Sequence, residues 1–151
     1  MSEATHAETP SGSIHYEIVT PTGRIGTGEC TMVVAPAIHG EVGILRNHTP
    51  YLAALATGVL RVKQGEQAET TFVSNGFIEV LDNKVIILAE TAEKSGDIDV
   101  PRAREAMERA RKRLETGHGV ATEREPVDRM RARRSLDRAR ARIKASGKGM
   151  A

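Results

Sequence analysis

At 151 residues, with 39% hydrophobic and 3% aromatic side chains and no Trp, the chain suits one ordinary domain or a small domain with an appendage, and it is poor in the aromatic platforms that stack nucleotide bases or sugars. Its net charge of +2 conceals a break: residues 1–100 carry 6 basic and 13 acidic side chains, whereas residues 101–151 carry 16 and 7. Two modules of opposite sign share the chain, and the second is suited to meet something acidic. The single cysteine, Cys30, excludes an intramolecular disulfide and fits a reducing, cytoplasmic compartment, its thiol packing as a small apolar group.

Residues 1–13 are rich in Ser, Thr, Glu, Gly and Pro and contain no apolar block, which predicts a disordered tail rather than a signal peptide. From Ile14 the pattern is one of short strands. Ile14, Tyr16 and Ile18 alternate with His15 and Glu17, and Pro21, Thr22 and Gly23 supply a turn. Further strands are expected over residues 29–35, 58–64, 70–74, 76–81 and 84–89. Turns are expected at Gln64-Gly65-Glu66 and Asp82-Asn83, and Asn75-Gly76 is a third candidate. So many short strands without intervening helices disfavour a parallel βαβ fold and predict an antiparallel meander or sandwich. The longest apolar run, residues 85–89, is far short of the ~18 residues that cross a bilayer, so membrane association is expected only through partners.

After Gly96 the period changes. Ala103, Ala106, Met107, Ala110 and Leu114 fall on one helical stripe. Asp99 caps the start, Pro101 is tolerated in the first turn, and Thr116-Gly117 with Gly119 stops the helix. A second helix is expected from about Pro126 to Ala145, with Ala132, Leu136, Ala139 and Ile143 inward and arginines around them. The two form an antiparallel hairpin. Stripes made mainly of Ala bury little apolar area, so the hairpin is expected to be marginal unless docked on the strands or on a partner.

One segment carries a family resemblance. Gly40-Glu41-Val42-Gly43-Ile44-Leu45-Arg46-Asn47-His48-Thr49-Pro50-Tyr51-Leu52, followed by Gly58-Val59-Leu60-Arg61-Val62, resembles the epsilon subunit of F-type ATP synthases, bacterial and chloroplast. Gly76-Phe77-Ile78-Glu79-Val80, Val85-Ile86-Ile87-Leu88-Ala89-Glu90 and Asp97-Ile98-Asp99 before an Ala-rich charged helix extend the likeness in the same order from about Ile14 to Ile143. Arg46 stands where the family usually has proline, Tyr51 where leucine is common, and the tail before Ile14 is longer than usual.

The resemblance implies a mainly β fold plus α: a ten-stranded antiparallel β-sandwich over residues 14–96 that binds the rotor, then a regulatory helical hairpin over residues 97–151. It implies a non-catalytic central-stalk subunit bound to the gamma subunit and the c-subunit ring, and transiently to the catalytic beta and alpha subunits. Such a subunit couples ion flow to ATP synthesis and restrains ATP hydrolysis, peripherally on the cytoplasmic face of the bacterial plasma membrane. No cofactor is required, and ATP is a candidate regulatory ligand.

Residue by residue, the resemblance assigns Gly40, Glu41, Val42 and His48 to the rotor and gamma contact. A second reading stays open: Glu41 is a solvated turn carboxylate and His48 a turn-stabilising side chain, with no partner at metal-ligand spacing. Ile98, Asp99, Arg102 and Ala103 match the motif with which some epsilon subunits bind ATP. Glu93, Arg109, Arg138 and Arg142 match the other positions those relatives use. Guanidinium forks suit phosphates; the plainer alternative is that Asp99 only caps a helix and the arginines are a solvated face. The resemblance further implies that the basic helix carrying Arg124, Arg129, Arg131, Arg133, Arg134 and Arg138 would, when extended, meet the acidic segment of the catalytic beta subunits and block rotation; the plainer alternative is that these arginines are solvated on a docked hairpin. Neither a nucleophile–base pair nor a metal-ligand set is visible. A basic helical nucleic-acid-binding module is the alternative reading, but it lacks aromatic interleaving and leaves residues 40–50 without a purpose.

Overall fold

The structure is a computed structural model that describes residues 12–116 and 125–148. Among the described residues eight strands precede two helices: β1 (Ile14–Thr20), β2 (Gly23–Cys30), β3 (Met32–Ala37), β4 (Gly40–Leu45), β5 (Tyr51–Ala54), β6 (Gly58–Gln64), β7 (Gln67–Leu81), β8 (Lys84–Lys94), α1 (Val100–Thr116) and α2 (Glu125–Ala145). The strands join in the order β2-β1-β8-β7-β6-β3-β4, with β5 added on β7.

The strand number and the strand directions differ from the ten antiparallel strands expected. The described residues form eight strands and not ten, and β1 runs parallel to β8, from His15 opposite Lys84 to Val19 opposite Leu88. The expected turn at Asn75-Gly76 is a bend inside the 15-residue β7. The first part of β7 pairs with β6, from Gln64 opposite Gln67 to Gly58 opposite Val73. Its second part pairs with β5, from Ala54 opposite Phe77 to Tyr51 opposite Val80. Gly76 makes the bend at φ 118°, where a Cβ would lie 1.8 Å from the Leu88 carbonyl oxygen, so only glycine fits. The Asp82-Asn83 turn forms as expected, both residues having positive φ, 48° and 60°.

The sheet wraps around a core built from nearly every strand, including Ile14, Ile18, Val33, Ile44, Leu60 and Ile78, each at most 2% exposed. Alternation along β6 and β7 supplies a second, outer cluster. Leu60 and Val73 point into the sandwich, so their neighbours Val59 and Phe72, paired across the two strands, point out. There they meet Ala141 and Ala145 of α2 together with Ile98 and Val100 at the entrance to α1.

Asp99 caps α1 by accepting the Arg102 amide at 3.0 Å, and a single 3₁₀ turn, Ser95–Asp97, leads into it. Ala103 and Ala110 face α2, which returns Ala132, Leu136, Ala139 and Ile143, all buried. The C-terminus of α2 is closed by its own sequence. The Arg142, Ile143 and Lys144 carbonyls accept from the Ser146 amide, the Ser146 hydroxyl and the Gly147 amide. Thr70 Oγ1 on β7 donates to the Ala145 carbonyl at 2.8 Å, tying the helix end to the sheet.

Candidate functional site

Where β8 ends, the 3₁₀ turn begins and the two helices cross, side chains of both charges converge. A cavity of about 430 Å³ is lined by Glu93, Asp97, Asp99, Arg102, Arg109 and Arg142, with Ala103 and Ala106 on its helical wall. Three carboxylates thus face three guanidiniums. Arg142 donates from Nε and Nη2 to Glu93 Oε1, at 2.9 and 2.6 Å, while its guanidinium carbon lies 4.3 Å from the centre of the Phe72 ring. Arg109 approaches Glu105 at 3.5 Å on its own helix. Asp99 is engaged as the cap.

Of the residues that the sequence singles out for ATP, Glu93, Asp99, Arg102, Ala103, Arg109 and Arg142 are brought together in this one cavity. Ile98 is not part of it: 7% exposed, it is packed beneath α2 with Val59 and Phe72. Arg138, half-buried on α2, lies one turn before Arg142 and is not among the lining residues. The arrangement is chemically able to hold a polyanion if the guanidiniums exchange carboxylate partners for phosphate oxygens.

Glu41 is corrected from a loop to a strand position. It lies in β4 opposite Pro36, and its Oε2 accepts from Arg61 Nη2 at 2.8 Å. Gly40 ends the β3–β4 turn at φ 125°. His48 serves its own turn: its amide donates to the Leu45 carbonyl, its Nδ1 donates to the Thr49 carbonyl at 2.7 Å, and its ring meets Tyr51 edge-on at 5.8 Å. The preceding Asn47 donates its amide to Asn83 Oδ1 at 2.6 Å, so the β7–β8 turn holds the His48 turn in place.

On α2, Arg129, Arg131, Arg133 and Arg134 are exposed, with Arg133 3.8 Å from Asp137 one turn on. Arg124 lies outside the described residues. Sequence reasoning missed an apolar patch on the outer face of β5, β7 and β8, where Leu52, Phe77, Leu81 and Leu88 are 71, 56, 48 and 48% exposed. Phe77 sits directly opposite Leu88. The signal was present in the sequence, because the alternation of β7 leaves Phe77 and Leu81 on the face opposite Ile78 and Val80.

Comparison with known proteins places these features in context. Residues 13–95 match the family model described as ATP synthase, Delta/Epsilon chain, beta-sandwich domain. Residues 97–147 match that of the Delta/Epsilon chain long alpha-helix domain. The ATP synthase epsilon chain of Halalkalibacterium halodurans is 47% identical over 103 residues, 68% of this chain and 77% of the relative. That of Desulfitobacterium hafniense is 43% identical over 114 residues, 76% and 86% of the two chains. A chain in the Euglena gracilis mitochondrial ATP synthase, OSCP/F1/c-ring in rotational state 1, superposes with TM-score 0.74 at 22% identity, covering 89% of this chain and 81% of its own. One in the Tetrahymena thermophila central stalk/c-ring assembly gives 0.57 at 15%, covering 87% and 95%. At these identities the likeness to the two solved structures is one of fold.

Proposed function

The chain belongs to the ATP synthase delta/epsilon family as a non-catalytic epsilon subunit, and from that premise we propose that its sandwich rides on the rotor while its helical hairpin is a detachable brake on ATP hydrolysis. The observation that carries the proposal is the thinness of the hairpin's seat. Among the described residues it rests on one small cluster, Val59 and Phe72 of the strands with Ile98, Val100, Ala141 and Ala145, and on the Thr70–Ala145 hydrogen bond and the Arg142–Glu93 pair. Burying a Val or Phe side chain is worth about 1.5–3 kcal/mol, so a partner offering comparable contacts can compete for α2. The exposed arginines of α2 fit an acidic surface on the catalytic beta and alpha subunits.

The gamma subunit and the c ring are the proposed rotor partners. The edge carrying Gly40, Glu41, Val42 and His48 is assigned to them, and the apolar patch around Phe77 and Leu88 offers gamma a dry contact. The division of labour falls near residues 96 and 97, and the assembly sits on the cytoplasmic face of the bacterial plasma membrane. ATP is proposed as a regulatory ligand of the Glu93–Arg142 cavity, with phosphates on Arg102, Arg109 and Arg142 and with Arg138 recruited from α2. Holding both helices, it would favour the docked hairpin.

Reconstitution tests the brake. A complex assembled with the chain ending at Val100 is expected to hydrolyse ATP faster than one with the full chain, at unchanged assembly. Equal rates would refute it. Calorimetry of the full chain with ATP tests the ligand: binding that weakens in Arg142→Ala supports it, and no binding by the parent removes it.

A further inference from the structure

On the other side of α2 from Arg142 lies a larger cavity, of about 560 Å³, between the last turns of the helix and strands β3, β4 and β6. Successive residues of a helix turn by about 100°, so Arg140 and Lys144 stand together on this side and Arg142 faces away. The apolar walls are Pro36, Val59 and Ala141. Arg140 and Lys144 stand at the cavity, both exposed, and among the described residues neither has a carboxylate within ion-pairing distance. The one lining carboxylate, Glu41, is already paired with Arg61 at 2.8 Å.

The two cations are not needed by the helix itself. A helix C-terminus ordinarily attracts cations because its last carbonyls lack partners, but here those of Arg142, Ile143, Lys144 and Ala145 all have donors. What remains is an apolar cavity of a size usual for small-molecule sites, with two unneutralised cations spaced one turn apart.

We propose that this cavity binds a single-chain aliphatic carboxylate, with its head group between Arg140 and Lys144 and its chain along Pro36, Val59 and Ala141. The ligand touches α2 and the sandwich at once, so it acts as a second clasp on the docked hairpin, apart from the Glu93–Arg142 cavity. Its recognition depends on both ends: the head selects for negative charge and the walls for an unbranched apolar body.

The test is a methyl NMR titration of the full chain with decanoate, decanol and decylammonium. Decanoate is expected to shift the methyl signals of Val59 and Ala141 saturably, with the neutral and cationic analogues at least about tenfold weaker, the order of one charge-assisted contact. The double variant Arg140→Glu with Lys144→Glu, both surface changes, is expected to weaken decanoate by a similar factor while retaining the ring shift of Phe72 that reports a docked α2. Decanoate shifts confined to Leu52 and Leu88, equal binding of decanol, or undiminished binding by the double variant would overturn the proposal. So would the absence of a saturable shift at millimolar decanoate.

Discussion

Arg142 joins the two oppositely charged parts of the chain by placing both Nε and Nη2 on a single oxygen of Glu93, at 2.9 and 2.6 Å. Its guanidinium face lies over Phe72 at the same time, so one side chain supplies an ion pair, two hydrogen bonds and an aromatic contact to the seat of α2. At 26% and 31% exposure, the pair is partly shielded from water, which raises its worth above that of an open surface bridge.

Arg142→Ala is therefore expected to weaken docking of α2 by about 1–2 kcal/mol. Hydrogen exchange is the measurement: α2 amides should exchange faster, while those of β1 and β8 keep their protection. Arg142→Lys keeps the charge but loses the fork and the flat face, and should fall between parent and alanine.

Asp99 separates capping from charge. Asn caps nearly as well as Asp, whereas Ala costs about 1 kcal/mol. Thermal melts should show a lower midpoint for Asp99→Ala and little change for Asp99→Asn. Equal losses in the two variants would mean that the carboxylate charge, and not the bond to the Arg102 amide, is what α1 requires.

Gly76→Ala should be among the most damaging single changes in the sandwich. The added methyl would meet the Leu88 carbonyl at 1.8 Å in a backbone conformation that disfavours any side chain. A loss of about 4 kcal/mol or more is expected, because the obstacle is backbone on the paired strand. Urea titration of the variant provides the check, with Gly65→Ala as comparison: φ is also positive there, at 60°, but nothing lies within 4 Å.

Cys30 makes stability fall at high pH. Burial, reinforced by Glu29 and opposed by a hydrogen bond from the Met32 backbone, raises its pKa from 9.0 to about 11. The folded chain therefore holds this proton after the unfolded chain has released it. Stability is unaffected below about pH 9 and declines by roughly 1.4 kcal/mol per pH unit until about pH 11. Tyr16, also raised by burial with Glu69 next in effect, adds a decline of the same sign from the ordinary phenol value of about 10.0 upward. Cys30→Ala should flatten the first part of this slope in alkaline denaturation, whatever it does to stability at neutral pH.

The helices were the most legible part of the sequence. A 3.6-residue stripe names its buried face directly, and Ala132, Leu136, Ala139 and Ile143 are all buried. The second buried face, Ala141 and Ala145, was not visible, because an alanine on a basic helix carries no mark of what covers it. Among the strands, β6 was legible end to end, and Asp82-Asn83 announced its turn. β2 was hidden by Gly23, Gly26 and Gly28, whose missing side chains erase the alternation. The ring of Tyr16 on β1 covers that gap, 3.4 Å from where a Cβ of Gly28 would stand. Asn75-Gly76 has turn chemistry, and only the pairing of β7 with β6 before it and with β5 after it, while β8 continues past it, shows that it bends a strand instead. For the candidate site, residue types and order were readable. The engagement of Arg142 by Glu93 and Phe72 depends on how α2 docks, which local pattern does not encode.

The parallel pairing of β1 with β8 governs the order in which the molecule can be made. The first strand has no neighbour on that side until the last one has been synthesised, so the sandwich closes through contacts between opposite ends of its own sequence, a slow kind of closure. α1 and α2, by contrast, are local in sequence and later to emerge. By the time α2 exists, the strands that present Val59 and Phe72 have already been synthesised. The hairpin therefore meets a seat built before it, and the proposed brake could release and re-engage without the sandwich having to unfold.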